Sequence, residues 1–535
     1  MKKIMFNKNI KSIFFVLTLF TLLVAVSTVS ATDDIDDTTV ITDTPADVAS
    51  DVVSEQNSAS DNNIVNTENN IENLEETQTC TGRTYNNPIS ITPANYATDM
   101  NNIYNYDAVE FSGTFSSTLT GGSITITAPI VFTSTSTATF EDTQFIINSN
   151  DVTIKNLIIE NDDGTSGAAI SSTGYDNIEV INNSISVTKT TAGETFGIKI
   201  SNSNNTTVCI NSIAVTGLPQ SMGWDNSTGV WLGAIQHSGI VYSNVNNSRI
   251  SLNNVTVKSS TDYPPFDYTT VEGITVKGGS ENTTVKYNTV NTTGSEFNYG
   301  ISLSQFVNSI TVNNNTITIN ATNHLCGIQA TATTNSLFKG NKIYGNCTLR
   351  NVTTASYEAF SYGIVLSTDT YQASSSETYS NDIEDNEITL NSTVSYGIEL
   401  NNVEDTKVIN NTVNVTGNVV MALGIYNSSD INITENTFYS TGDTITLNQY
   451  IYEAIYPTTT GIKINETSDN ILIYDNTIDV TENNNSVTSY AVILEDCNNS
   501  DVTNNNIQVN GQSPSQPPYD EFVLDNGINN NIFNP

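Results

Sequence analysis

Three arginines, two histidines, five cysteines and the one pair of adjacent aspartates within the repeats hold most of the chemical scope of this 535-residue chain. Arg83, Arg249 and Arg350 stand far apart, and none sits in a recognisable cluster with aspartates. Proton abstraction beside a carboxylate needs a positioned base, and glycoside hydrolysis needs convergent carboxyls. Asp162 and Asp163 are adjacent, but "NDDGTSG" is good turn chemistry. His237 and His324 precede similar Gly-Ile dipeptides at different offsets, so they do not stack as a site. Cys80, Cys209, Cys326, Cys347 and Cys497 fit no zinc spacing. Cys326 and Cys347 lie within one repeat unit and are the expected disulfide pair in an oxidising compartment. No calcium-loop pattern occurs. No catalytic residue, metal ligand or cofactor is assigned on these grounds, and metal binding stays open.

The aromatic residues give a more pointed signal. Two consecutive insertions, "GLPQSMGWDNSTGVWLGAIQHSG" and "SSTDYPPFDYTTVEG", carry Trp224, Trp231, Tyr263, Phe266 and Tyr268, with Asp225 and Asp267 beside them. Both tryptophans of the chain are included. Flat rings beside carboxylates suit a sugar, apolar on its faces and hydroxylated at its rim. These seven residues are the candidate carbohydrate-binding set. The alternative is that the rings pack long loops onto the body. A third insertion adds Tyr450, Tyr452 and Tyr456. Among the N-x-[ST] sequons, Asn226, Asn351, Asn391, Asn427 and Asn465 are the candidate glycosylation sites.

Positioning these groups falls to a repeat. Its template is aliphatic, two residues, Asn, one residue, apolar. The asparagines are Asn183, Asn211, Asn253, Asn288, Asn315, Asn341, Asn386, Asn411, Asn436, Asn476 and Asn505. Hydrophobic residues stand three before and two after each of them without exception. A Gly-Ile marker precedes the templates from Asn211 onward, as in "YGISL", "YGIVL" and "YGIEL". Its glycines are Gly197, Gly239, Gly273, Gly300, Gly327, Gly363, Gly397, Gly424 and Gly461, with Ala491 last. Each unit thus holds three period-two segments separated by polar corners, and none has helical periodicity. Stacked units make an all-β, right-handed single-stranded parallel β-helix of about 11–13 coils. A leucine-rich repeat fits poorly, because the apolar residues are Ile and Val and no helix follows the Asn. The Asn column is expected where the chain turns sharply, in the left-handed region that Asn tolerates.

Residues 1–31 read as a signal peptide: Lys2, Lys3, Lys8 and Lys11, the apolar run Ile13 to Val26, then Val29-Ser30-Ala31. Residues 32–79 lack Lys, Arg and aromatics and read as an acidic disordered spacer. Residues 80–107 form an N-terminal cap, with its helix candidate at Pro93 to Tyr106, and 108–535 the β-helix. With 56 acidic against 17 basic residues the net charge is −39. Such a chain repels nucleic acid and anionic membranes. No apolar run in the mature chain suits insertion in a membrane.

The coil from "SYGIEL" through "NNVEDTKVINNTVNVTG" resembles the β-helix repeats of the pectin-lyase-like superfamily. With the leader, spacer and Asn/Thr-rich coils, residues 85 to 530 resemble adhesin-like surface proteins of methanogenic archaea. That resemblance implies a secreted or cell-surface adhesin-like protein contacting polysaccharide or cell-surface glycans. The fold alone decides little, since it hosts lyases, hydrolases and adhesins. A polysaccharide lyase or hydrolase is the main alternative, and a purely structural coat protein the third. Turnover separates the lyase or hydrolase from the other two, and saturable glycan binding separates adhesin from coat.

Overall fold

The computed structural model describes residues 80–162, 167–190, 193–218, 224–225, 230–231, 235–259, 269–294, 297–347, 360–368, 378–443, 458–483, 489–511 and 523–533. Residues 1–31 and 32–79, which the sequence reads as a leader and an acidic spacer, lie outside them. The described chain winds as a parallel β-helix. A typical coil contributes three main strands, exemplified by Phe297–Ser304, Thr311–Asn313 and Thr316–Ala321, with a two-residue strand, Val307–Asn308, at the corner between the first two. First strands stack into a 14-stranded sheet, and second and third strands form a continuous 30-stranded one. Pairing between coils is parallel and in register: Ile301 lies beside Ile328, Val312 beside Phe338 and Ile317 beside Ile343. Alternation turns every second side chain inward. The bore fills with Ile, Val, Leu and Phe, nearly all fully buried. At the N-terminal end a plug of Phe111, Phe115, Phe132, Phe140 and Phe145 packs ring against ring at 4.8–6.3 Å. One α-turn, Tyr96–Asp99, runs into a 3-10 segment, Met100–Asn105. Tyr96 and Ile103 are buried against that end of the core.

The eleven asparagines form one buried column. The Asn315 amide nitrogen donates up to Asn341 Oδ1 at 3.0 Å and down to the Val285 carbonyl at 2.9 Å. Asn315 Oδ1 accepts from the backbone N–H and the amide of Asn288, both at 3.0 Å. The same links join neighbours from Asn183 to Asn505. Each corner thereby satisfies backbone groups that the turn removes from the sheet. The expected conformation is corrected, however. The left-handed residue is the one before the column: Asn182, Ile210, Leu252, Tyr287, Asn314, Gly340, Asp385, Asn410, Glu435, Asp475 and Asn504, at φ 53–64°. Asn is selected in the column for its paired donor and acceptor, not for backbone tolerance.

The glycine column answers a close approach. A Cβ on Gly300 would strike the Ile317 methyl and come within 2.6 Å of the Gly327 carbonyl. One member is corrected. Gly424 pairs with Glu399 and faces outward; the residue beside Gly397 is Ala422. In that coil Phe438 stands where the others have Ile or Val, so no branched methyl meets the added carbon.

The disulfide expectation is also corrected. Cys80 bonds Cys209, with Cα atoms 6.2 Å apart, and Cys326 and Cys347 are free. Cys326 points out of the first-strand sheet among Tyr299 and Tyr362, whereas Cys347 lines the bore. A strand wall separates them. Cys80 instead begins a strap over the outside of the second strands. Gly82 packs on Ile181 and Thr153, and Arg83 binds Asp151 and, through its N–H, Glu179.

Candidate functional site

Alternation that fills the bore also projects a row of side chains from the outer face of the first-strand sheet. Immediately before the glycine column stand Tyr299, Cys326, Tyr362, Tyr396 and Met421, one per coil. Two positions earlier stand Phe297, His324 and Phe360. Because coils stack in register, these rings form an axial row. Phe297 lies 5.3 Å from His324, His324 lies 5.4 Å from Tyr362, and Tyr362 lies 5.4 Å from Tyr396. Tyr299 and Tyr362 are buried, while His324, Phe360 and Tyr396 are half-buried.

Polar groups punctuate the row. Glu399 projects outward beside Val365, against which Tyr362 packs. It is only 3% exposed, and burial pushes its carboxyl up to about 8, with Glu466 adding repulsion and a hydrogen bond from Asn401 opposing the rise. The Tyr362 hydroxyl is buried with no hydrogen-bond partner, and burial raises its pKa. One end of the row carries Glu272, which accepts from Gln236 at 2.5 Å and from Thr275. Unpaired buried polar atoms are uncommon and point to missing partners. The face can stack on flat apolar surfaces and, at Glu399 and Tyr362, donate hydrogen bonds.

Of the seven candidate sugar-contacting residues, the backbone of Trp224, Asp225 and Trp231 is described. Trp224–Asp225 and Val230–Trp231 form an antiparallel hairpin in which the tryptophans are direct cross-strand partners. Tyr263, Phe266, Asp267 and Tyr268 lie outside the described residues, as do Tyr450, Tyr452 and Tyr456. The roots of the two insertions do stack: Thr216 pairs with Lys258, and Ile235 with Thr269. Among the sequons, Asn226 and Asn351 lie outside the described residues. Asn427 is exposed, donates to Asn402 and accepts from Thr467 at 3.1 Å. Its N–H binds the Asn465 carbonyl at 3.2 Å in the next coil. Asn391 is exposed, but Ser392 and Thr393 of its sequon are buried.

His237 faces inward, fully buried, with Nε2 2.9 Å from the Leu218 carbonyl, and burial lowers its pKa to about 4. His324 faces outward, so the two histidines lie on opposite sides of the sheet. Arg83 belongs to the strap and Arg249 to a second strand; Arg350 lies outside the described residues. Among the described residues no group of His, Cys, Asp and Glu could hold a metal ion, and no helix is long and apolar enough to cross a membrane. Sequence reasoning missed the outer row. Its signal was present in the Tyr of "YGISL", "YGIVL" and "YGIEL", the residue directly before each glycine.

No family model and no curated protein matches the chain. Solved structures similar to it include the A-module of the mannuronan C-5 epimerase AlgE6 of Azotobacter vinelandii, at 10% identity and TM-score 0.35, covering 80% of this chain and 91% of that one. The receptor-binding domain of the siphovirus 9NA tailspike has 9% identity and TM-score 0.34, covering 82% and 76%. PfbA, a surface adhesin of Streptococcus pneumoniae, has 12% identity and TM-score 0.31, covering 70% and 84%. At such values the likeness is one of fold.

Proposed function

We propose that this protein is a cell-surface β-helix rod that contacts polysaccharide, non-covalently, along the outer face of its first-strand sheet. The observation that supports this reading is the axial row of rings from Phe297 to Tyr396, set on the side of the sheet away from the bore. The bore is filled without them. Rings stacked at coil spacing follow the repeat of a linear glycan better than a single small ligand. The Trp224–Trp231 hairpin, rooted at the corner where first strands begin, extends the same contact.

The test is a glycan array with the purified protein, repeated with Tyr396→Ala and with Trp224 and Trp231 both replaced by Ala. Melting temperatures and a reducing-end assay accompany it. Saturable binding, lost in the variants without a change in melting, carries the reading. Product release favours the lyase or hydrolase alternative. Inertness in both assays leaves a structural coat.

A further inference from the structure

The face has a charge pattern that limits which glycan it can hold. The five first strands Phe297–Ser304, His324–Thr331, Phe360–Ser367, Val394–Asn401 and Val419–Tyr426 contain no lysine or arginine. The only other ionisable base among them, His324, is held neutral, its pKa lowered to about 4 by burial. The nearest described cations on this sheet lie one coil beyond each end. Lys277 is engaged with Gln236 Oε1 at 3.4 Å, and Lys463 is paired with Glu495 at 3.3 Å. The acid at the centre, Glu399, shares its surroundings with Glu466. A uronate brought here would lose hydration, approach the charge of Glu466 and find no lysine or arginine on these five strands. A neutral sugar meets none of those costs. Its ring stacks on Tyr396 and Phe360, and its hydroxyls satisfy the stranded Tyr362 hydroxyl and accept from a protonated Glu399.

We propose that the central coils of this face take neutral hexose or pentose units of an uncharged polysaccharide and refuse uronate polymers, with Glu399 and Tyr362 as the polar anchors. This rests on the reading of the face as a glycan contact.

The test is calorimetric titration of the full chain with neutral oligosaccharides (gluco-, manno- and xylo-hexaose) and with oligogalacturonate and oligomannuronate. Binding of a neutral series at least about tenfold tighter than either uronate is expected. Glu399→Gln, which keeps a donor, should retain that binding, and Glu399→Leu should weaken it about tenfold. Raising the pH from 7 to 9.5 should weaken binding by the wild type and leave Glu399→Gln unmoved. Tyr396→Ala separates the two levels. If binding depends on Tyr396 but prefers uronates, or survives Glu399→Leu undiminished, this inference falls and the glycan face stands. If no saccharide binds, or binding ignores Tyr396→Ala, both fall. Uronate binding lost in Arg350→Ala also overturns the proposal, because it places a cation over the face.

Discussion

Replacing Asn315 with Leu tests what the polar column does. Four hydrogen bonds vanish: those to Val285 O and Asn341 Oδ1, and those received from Asn288. They are not equal. The Asn288 amide keeps its bonds to Ile250 O and Lys286 O, and Asn341 Oδ1 still accepts from the residue-315 backbone N–H. The Asn288 backbone N–H loses its side-chain acceptor, at a site where both residues are at most 1% exposed. A buried donor stranded in this way costs roughly 1–3 kcal/mol, and the other three losses roughly 0.5–1.5 kcal/mol each. Burying a Leu side chain returns about 2 kcal/mol. The expected destabilisation is therefore centred on about 3 kcal/mol, within roughly 0.5–5.5 kcal/mol. In a solenoid it is felt chiefly by the coils that touch it. The assay is hydrogen exchange at Asn288 and its neighbours, with urea unfolding beside it. Asn288 exchange should rise by at least tenfold while coils near Phe140 stay protected. If Asn288 exchanges as slowly as in the wild type and the urea midpoint does not move, the ladder is not what holds the corner.

Three further outcomes follow from the same geometry. Gly300→Ala should destabilise by about 1–3 kcal/mol, because the added carbon meets the Ile317 methyl and the Gly327 carbonyl; combining it with Ile317→Ala should recover part of the loss in urea unfolding. Opening the Cys80–Cys209 bond, which closes a separation of 129 residues, should lower stability by about 2–4 kcal/mol and expose Arg83 to trypsin; equal cleavage of oxidised and reduced protein would sink the strap. Glu399 titrates near 8 folded and near 4.5 unfolded, so stability should fall as pH rises from 4.5 to 8, by at most about 5 kcal/mol, and Glu399→Gln should abolish that fall. His237 acts in the opposite sense: its folded pKa near 4 against 6.5 makes stability fall as pH drops through that window, and parallel wild-type and Glu399→Gln curves from pH 5 to 8 would refute the assignment of the alkaline slope.

The sequence makes the bore legible because bore and corner positions obey rules of period. Val312, Asn315 and Ile317 announce an inward residue, a polar corner and the next inward residue, and all three lie where that pattern sets them. Finer assignments failed where two residue types serve one geometry. The left-handed position accepts Ile210, Leu252, Tyr287 and Glu435 as readily as Asn, so its identity carries almost no signal, and the conserved-looking Asn beside it drew the inference instead. Gly424 misled for a similar reason: "MALGIY" contains a Gly-Ile pair two residues out of register, and only the pairing of Leu423 with Ile398 reveals Ala422 as the column member. Cys326 and Cys347 are close in sequence, yet alternation puts them on opposite sides of the wall, while Cys80 reaches Cys209 by running outside the coils.

The outer row was harder to see because outward positions vary in type from coil to coil, even where Phe297, Tyr299, Cys326, Tyr362 and Val365 pack into a buried cluster of their own. At the position before glycine the chain places Phe196, Ser238, Glu272, Tyr299, Cys326 and Met421 in different coils. Such variety is what a face released from the core permits. The clustering of rings between Phe297 and Tyr396 is therefore not demanded by the fold, which stands equally well on Ser238 or Thr460. The abundance of Asn and Thr, by contrast, follows from geometry. The buried column consumes an Asn per coil, the left-handed corners favour Asn and Asp, and outward strand positions favour Thr. Composition thus reports the solenoid, and only the departures from it, the aromatic row and the buried Glu399 among them, bear on what the rod touches.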